Sequence, residues 1–160
     1  MDVYKYLRYF TFLSIEEIQE IELSDKSSQS KPEAQSILAS EVTKLLHGGE
    51  GLAAAKRISD SLFSGDISKL TRDDLKQLDL DGLPKTSFAG GQVDIIQVLV
   101  RTELAKSNKM AREFIGNNAI SVNGSLVHSG DLILDASNAL EGGYFVLRRG
   151  KKMFHLIKVE

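Results

Sequence analysis

The chain has 160 residues, room for one ordinary domain or two small ones. Its 20 Lys and Arg against 22 Asp and Glu give a formal net charge of −2, which excludes a uniformly polybasic nucleic-acid binder and confines any RNA or DNA site to a local patch. The absence of cysteine excludes disulfides, thiolate metal sites and thiol nucleophiles, and the three scattered histidines (His47, His128, His155) lack the spacing of a metal site.

The first half reads as helices. Val3, Leu7 and Phe10 recur at helical spacing behind Asp2 as N-cap, and Ser14-x-x-Glu17 is a capping-box signature ahead of Ile18 and Ile21. Residues 24–31 are polar and predict a loop. Ser30-x-x-Glu33, with Pro32 in the first turn, predicts a third helix whose Leu38, Val42, Leu45 and Leu46 face a core. Gly48-Gly49-Glu50-Gly51 interrupts it. A further helix carries Leu52, Ala55, Ile58 and Leu62, and Thr71-x-x-Asp74 opens a short one with Leu75 and Leu78. Breakers then cluster at Leu83-Pro84 and Ala89-Gly90-Gly91, and the charge changes with them. Residues 1–92 carry 11 basic and 15 acidic groups, residues 93–160 carry 9 and 7.

In the second half Val93, Ile96 and Val100 predict a short helix. Ser107 caps another, with Met110, Ala111, Phe114 and Ile115 turned inward. Ile120 and Val122 alternate into Asn123-Gly124, a hairpin signal. Leu132 to Leu134, Tyr144 to Leu147 and Met153 to Val159 read as strands. The expected architecture is two domains: an irregular all-α bundle over 1–82, a linker over 83–92, and a small α+β domain over 93–160 with two helices and a short, mostly antiparallel sheet.

Gly49-x-Gly51-x-x-Ala54 superficially fits a dinucleotide fingerprint, but that motif needs a preceding strand, and Glu41 to His47 reads as helix. A helix break is the expectation there, with His47 in a structural role near a helix C-terminus. Asp73, Asp74, Asp79 and Asp81 read as caps and a solvated acidic face, so no catalytic residue is assigned. The informative constellation is basic. Lys109 and Arg112 lie three apart on one helix face, and Arg148, Arg149, Lys151 and Lys152 surround Gly150 at a strand-to-strand turn. Such dense like charge suits a polyanion, the alternative being a turn that protects solubility. Together with Asn123-Gly124 in the same module, the two clusters favour the polyanion.

The run from Ser107 through Met110, Arg112, Phe114 and Ile120 to Gly124 resembles the core of the S4 RNA-binding domain, with Asn108-Lys109 where that family usually opens Ser-Arg. Asp2 to Ile18, His47 to Leu52, Ala55 to Ile58, Leu62 to Gly65 and Leu147 to Lys152 resemble, in order, the C-terminal region of bacterial-type tyrosyl-tRNA synthetases. That resemblance implies an anticodon-side helical domain followed by an S4-like domain clamped between the anticodon stem and long variable arm of tyrosine tRNA. It implies RNA contacts from Lys109, Arg112, Asn123, Arg148, Arg149, Lys151 and Lys152. His-Ile-Gly-His-like and Lys-Met-Ser-Lys-Ser-like motifs are absent, so the resemblance implies a piece beginning after the ATP-handling loop, with Met1 an added start residue. ATP, tyrosine activation and the homodimer contact belong to the catalytic domain of the family. This piece is expected to be a monomer without cofactor or metal. The runner-up is the S4 anchor of an RNA-modifying enzyme such as a pseudouridine synthase, and a third reading is a protein-interaction module. No apolar run approaches the roughly 20 residues that cross a bilayer, and Met1 to Lys5 has no secretory pattern. A cytoplasmic location is the corresponding expectation.

Overall fold

The computed structural model describes residues 2–81 and 83–159, with only the backbone of Asp81. Met1, Gly82 at the expected end of the helical domain, and the Asp81 side chain of the expected acidic face lie outside the described residues. The chain divides into two compact units, 1–56 and 57–160.

The first unit holds α1 (Val3–Phe10), α2 (Ile15–Ser27) and the first part of α3 (Ala34–Ser64). Val3, Leu7, Ile18 and Ala34 form its buried centre, at the helical spacing seen in the sequence. The Ser14 capping box is present: the Glu17 N–H donates to Ser14 Oγ at 3.2 Å and the Ser14 N–H to Glu17 Oε2 at 2.7 Å. Asp2 precedes α1 but makes no side-chain cap. The loop expected over 24–31 is shorter, because α2 continues to Ser27. Its Asp25, rather than Ser30, caps α3: the N–H groups of Glu33 and Ala34 donate to the carboxylate at 2.7 and 3.2 Å, and Tyr4 Oη donates at 3.0 Å. The backbone donor of Glu33 is the main reason the Asp25 pKa falls below its ordinary value. Sequence spacing cannot show a cap supplied from eight residues upstream. Gly48, at φ 72°, breaks α3 where the glycine cluster predicts a break. Leu45 and Leu46 do not face the core as expected; they are 55% and 70% exposed.

The second unit has three layers. Its main sheet runs β1 (Lys85–Phe88), β7 (Met153–Val159), β6 (Tyr144–Arg149), β3 (Ile120–Val122) and β4 (Ser125–Leu126). Neighbours are antiparallel except β1 with β7. A two-stranded sheet pairs β2 (Gln92–Asp94) with β5 (Ile133–Asp135). On one face of the main sheet, α5 (Ile95–Arg101) and α6 (Asn108–Gly116) cover Phe145, Leu147 and Ile157. On the other, Leu62 from the end of α3, Ile67 from a 3₁₀ turn, and Leu75 and Leu78 of α4 (Arg72–Asp81) cover Tyr144, Val146 and Leu156. Successive β6 residues alternate between the two layers, as strand geometry requires.

This arrangement corrects the expected partition. Residues 57–81 belong to the unit that contains the sheet, because its second face is apolar and needs a cover. The expected linker 83–92 contains β1, hydrogen-bonded along β7, and Val93 lies in β2 rather than in a helix. The acidic segment is also corrected. Asp74 is only 2% exposed and its carboxylate takes both Arg57 Nε and Nη2 at 2.7 Å. Asp79 accepts from Tyr144 Oη at 3.1 Å and from Lys85 Nζ at 2.8 Å.

Candidate nucleic-acid interface

The S4-like core forms from the residues that predict it. Ser107 Oγ accepts the Met110 N–H at 3.2 Å and opens α6. Ala111 and Ile115 are buried and Met110 and Phe114 pack against the same core, which leaves Lys109 and Arg112 exposed on the opposite stripe. Lys151 and Lys152 are exposed in the β6–β7 turn, where Gly150 adopts φ 61° and its N–H donates to Ala119 O at 2.8 Å. These four cations face solvent.

The other three expected contacts do not join them in the same way. Arg148 and Arg149 are adjacent on β6 and therefore point to opposite faces of the sheet. The Arg149 guanidinium lies 5.1 Å from the centre of the Phe114 ring and donates to Leu104 O and to the Met153 sulfur. It rivets β6 to α6 and to the loop between α5 and α6. Arg148 is half-buried on the α3 side, beside Gly65. Asn123, at φ 50°, uses its amide inside the fold: Oδ1 accepts the Val146 N–H at 2.9 Å and Nδ2 donates to Asn138 O at 3.3 Å. It holds the β3–β4 hairpin to β6. Tyr144-Phe145-Val146-Leu147 is the signal that could have shown this split, since a continuous apolar run marks a strand covered on both faces.

Sequence reasoning also missed Arg101, a single charge after the apolar run of α5. Its guanidinium sits 4.3 Å from the centre of the Phe88 ring. Only β1, itself unforeseen, brings that ring into place.

The buried titratable groups are committed elsewhere. Arg57, followed by the hydroxyl and N–H of Thr71, pulls the Asp74 pKa down to about 2, so this carboxylate is a fixed anion at neutral pH. Burial pushes the His155 pKa down, and Nε2 lies 3.0 Å from Thr86 Oγ1. Among the described residues no group of three or more His, Cys, Asp or Glu is placed to hold a metal ion, and no helix is long and apolar enough to cross a membrane. What the surface offers chemically is cation display.

Comparison with known proteins agrees along the chain. Residues 1–64 match the family described as tRNA synthetases class I (W and Y). A tyrosine–tRNA ligase of Aliivibrio fischeri is 59% identical over 155 residues, and one of Laribacter hongkongensis is 51% identical over 156. These alignments cover 97% and 98% of this chain but 36% and 37% of the relatives, so the chain spans little more than a third of their length. A solved structure titled as the solution structure of a tyrosyl-tRNA synthetase C-terminal domain aligns with 39% identity and TM-score 0.48, over 61% of this chain and 98% of that one. Residues 74–157, more than half of the chain, match the tyrosine–tRNA ligase SYY-like C-terminal domain family, and the chain belongs to it.

Proposed function

We propose that this chain is the tRNA-holding part of a tyrosine–tRNA ligase and grips tyrosine tRNA at the junction of its anticodon stem and long variable arm. The observation that carries this reading is the display of Lys109, Arg112, Lys151 and Lys152 to solvent by a helix and a turn fixed to one another through Arg149. Cations held on a rigid corner suit phosphates at a set spacing, so recognition rests on RNA shape more than on base sequence. Arg148, Arg149 and Asn123 support that corner from within. The net negative charge of residues 1–92 discourages indiscriminate polyanion binding. ATP binding and tyrosine activation belong to the remainder of the enzyme, and this part acts as a cytoplasmic monomer without a cofactor of its own.

Titrating the protein with tyrosine tRNA and with a tRNA of short variable arm tests the proposal. Tyrosine tRNA is expected to bind at least about tenfold more tightly, a difference of about 1.4 kcal/mol. Equal affinities would remove the variable arm from the reading, and no binding to either would remove tRNA.

A further inference from the structure

A groove of about 570 Å³ lies between the loop that follows α5 and the start of β7. Arg101, Leu104, Lys152 and Phe154 line it, with Leu83 and Pro84 at one side. Arg101 stands over Phe88, so its guanidinium is held in place while remaining exposed. Arg149 bonds to Leu104 and Met153, both lining residues, and so holds the two walls together. Glu103 is the one acidic residue among the described lining residues.

We propose that this groove is a phosphate-binding site for an RNA strand, with Arg101 and Lys152 as its cationic walls. The proposal rests on the tRNA-binding reading and extends it from Lys152 of the basic turn to Arg101, on the far wall of the groove. Charge complementarity selects the ligand: among the described lining residues two cations, Arg101 and Lys152, meet one carboxylate, that of Glu103. Three carbonyls in the last turn of α5, those of Val98, Leu99 and Val100, are already covered, which weakens their repulsion of a phosphate. Thr102 N–H donates to Val98 O at 2.9 Å, Glu103 N–H to Val100 O at 3.1 Å and Ala105 N–H to Leu99 O at 2.8 Å. Glu103 takes φ 59° to make this turn, a conformation that favours glycine, and the turn sets Arg101 and Leu104 on the groove wall. A guanidinium fixed on an aromatic face loses less side-chain freedom on binding than a free lysine does. Apolar Leu104 and Phe154 beside the cations give the ribose or base of the same nucleotide a surface to rest on.

The test measures affinity for tyrosine tRNA across a salt series for the whole chain and for Arg101→Gln, Arg101→Lys and the Lys109→Gln/Arg112→Gln pair. Thermal unfolding confirms that each is folded. Arg101→Gln is expected to weaken binding about three- to tenfold and to flatten the log–log salt slope by about one, while Arg101→Lys keeps the slope. Unchanged affinity and slope in folded Arg101→Gln, with a loss in the Lys109/Arg112 pair, would overturn the groove and leave the general reading standing. Absence of tRNA binding by the unsubstituted chain would overturn both.

Discussion

Replacing Gly124 by alanine is expected to destabilise the second unit by about 2–4 kcal/mol. Gly124 lies at φ 86°, in the left-handed region, and a Cβ built on it would stand 2.1 Å from the Gly65 carbonyl oxygen and 3.4 Å from Ile67 Cγ1. Backbone conformation alone costs about 1–2 kcal/mol there, and the clash adds to it because the contacted atom is backbone. Gly65 cannot easily retreat: it also has positive φ, its N–H donates to Ser61 O at 3.0 Å, and the Arg148 guanidinium lies beside it. The control is Gly116→Ala, where a Cβ meets nothing within 4 Å and φ is not positive. That change is expected to be neutral or to stabilise by about 0.5–1 kcal/mol. Urea unfolding followed by circular dichroism distinguishes the two. A Gly124→Ala protein as stable as Gly116→Ala would show that the hairpin does not press on the α3 end.

Asp74→Ala is expected to cost about 3 kcal/mol. About 1 kcal/mol comes from the lost cap on α4, where Asp74 also accepts the Thr71 N–H at 2.9 Å. The rest comes from the charge-assisted bonds to Arg57. Asp73→Ala is the contrast, since its pair with Lys76 is exposed and contributes less than about 0.5 kcal/mol. The acid dependence follows with a definite sign. A folded pKa of about 2 against the ordinary value of 3.8 means that stabilisation is complete above the unfolded pKa and is lost as pH falls from about 4 towards 2. The shift corresponds to roughly 2 kcal/mol, and partial exposure of Arg57 reduces this to about 1–2 kcal/mol. The gap between the stability curves of the parent and Asp74→Ala should narrow by about 1–2 kcal/mol over that interval. Parallel curves would show that the ion pair does not govern it.

Local signals were legible and long-range ones were not. The capping boxes at Ser14 and Thr71, the Ser107 cap, the inward stripe of α6 and the Asn123-Gly124 hairpin all depend on residues within a few positions of one another. The parallel pairing of β1 with β7 joins Lys85 to Leu156, a separation that no local pattern encodes. Without that strand, 83–92 reads as a linker and 57–81 as part of an independent helical domain. The basic turn was equally visible as composition, but composition does not say which side of a strand a residue takes. Period two sends Arg148 towards Gly65 and Arg149 onto Phe114, and only the exposed Lys109, Arg112, Lys151 and Lys152 remain as a displayed set.

The most direct measurement is tyrosine-tRNA affinity over a salt series for the unsubstituted chain and for a variant with Lys109, Arg112, Lys151 and Lys152 all changed to glutamine. Four displayed cations are expected to contribute about −3 to −4 to the slope of log affinity against log salt, using about 0.7–0.9 per phosphate. The variant should retain its circular dichroism spectrum and lose most of that slope, because exposed charges contribute little to folding. A folded variant with an unchanged slope would contradict the assignment of these residues to the tRNA interface.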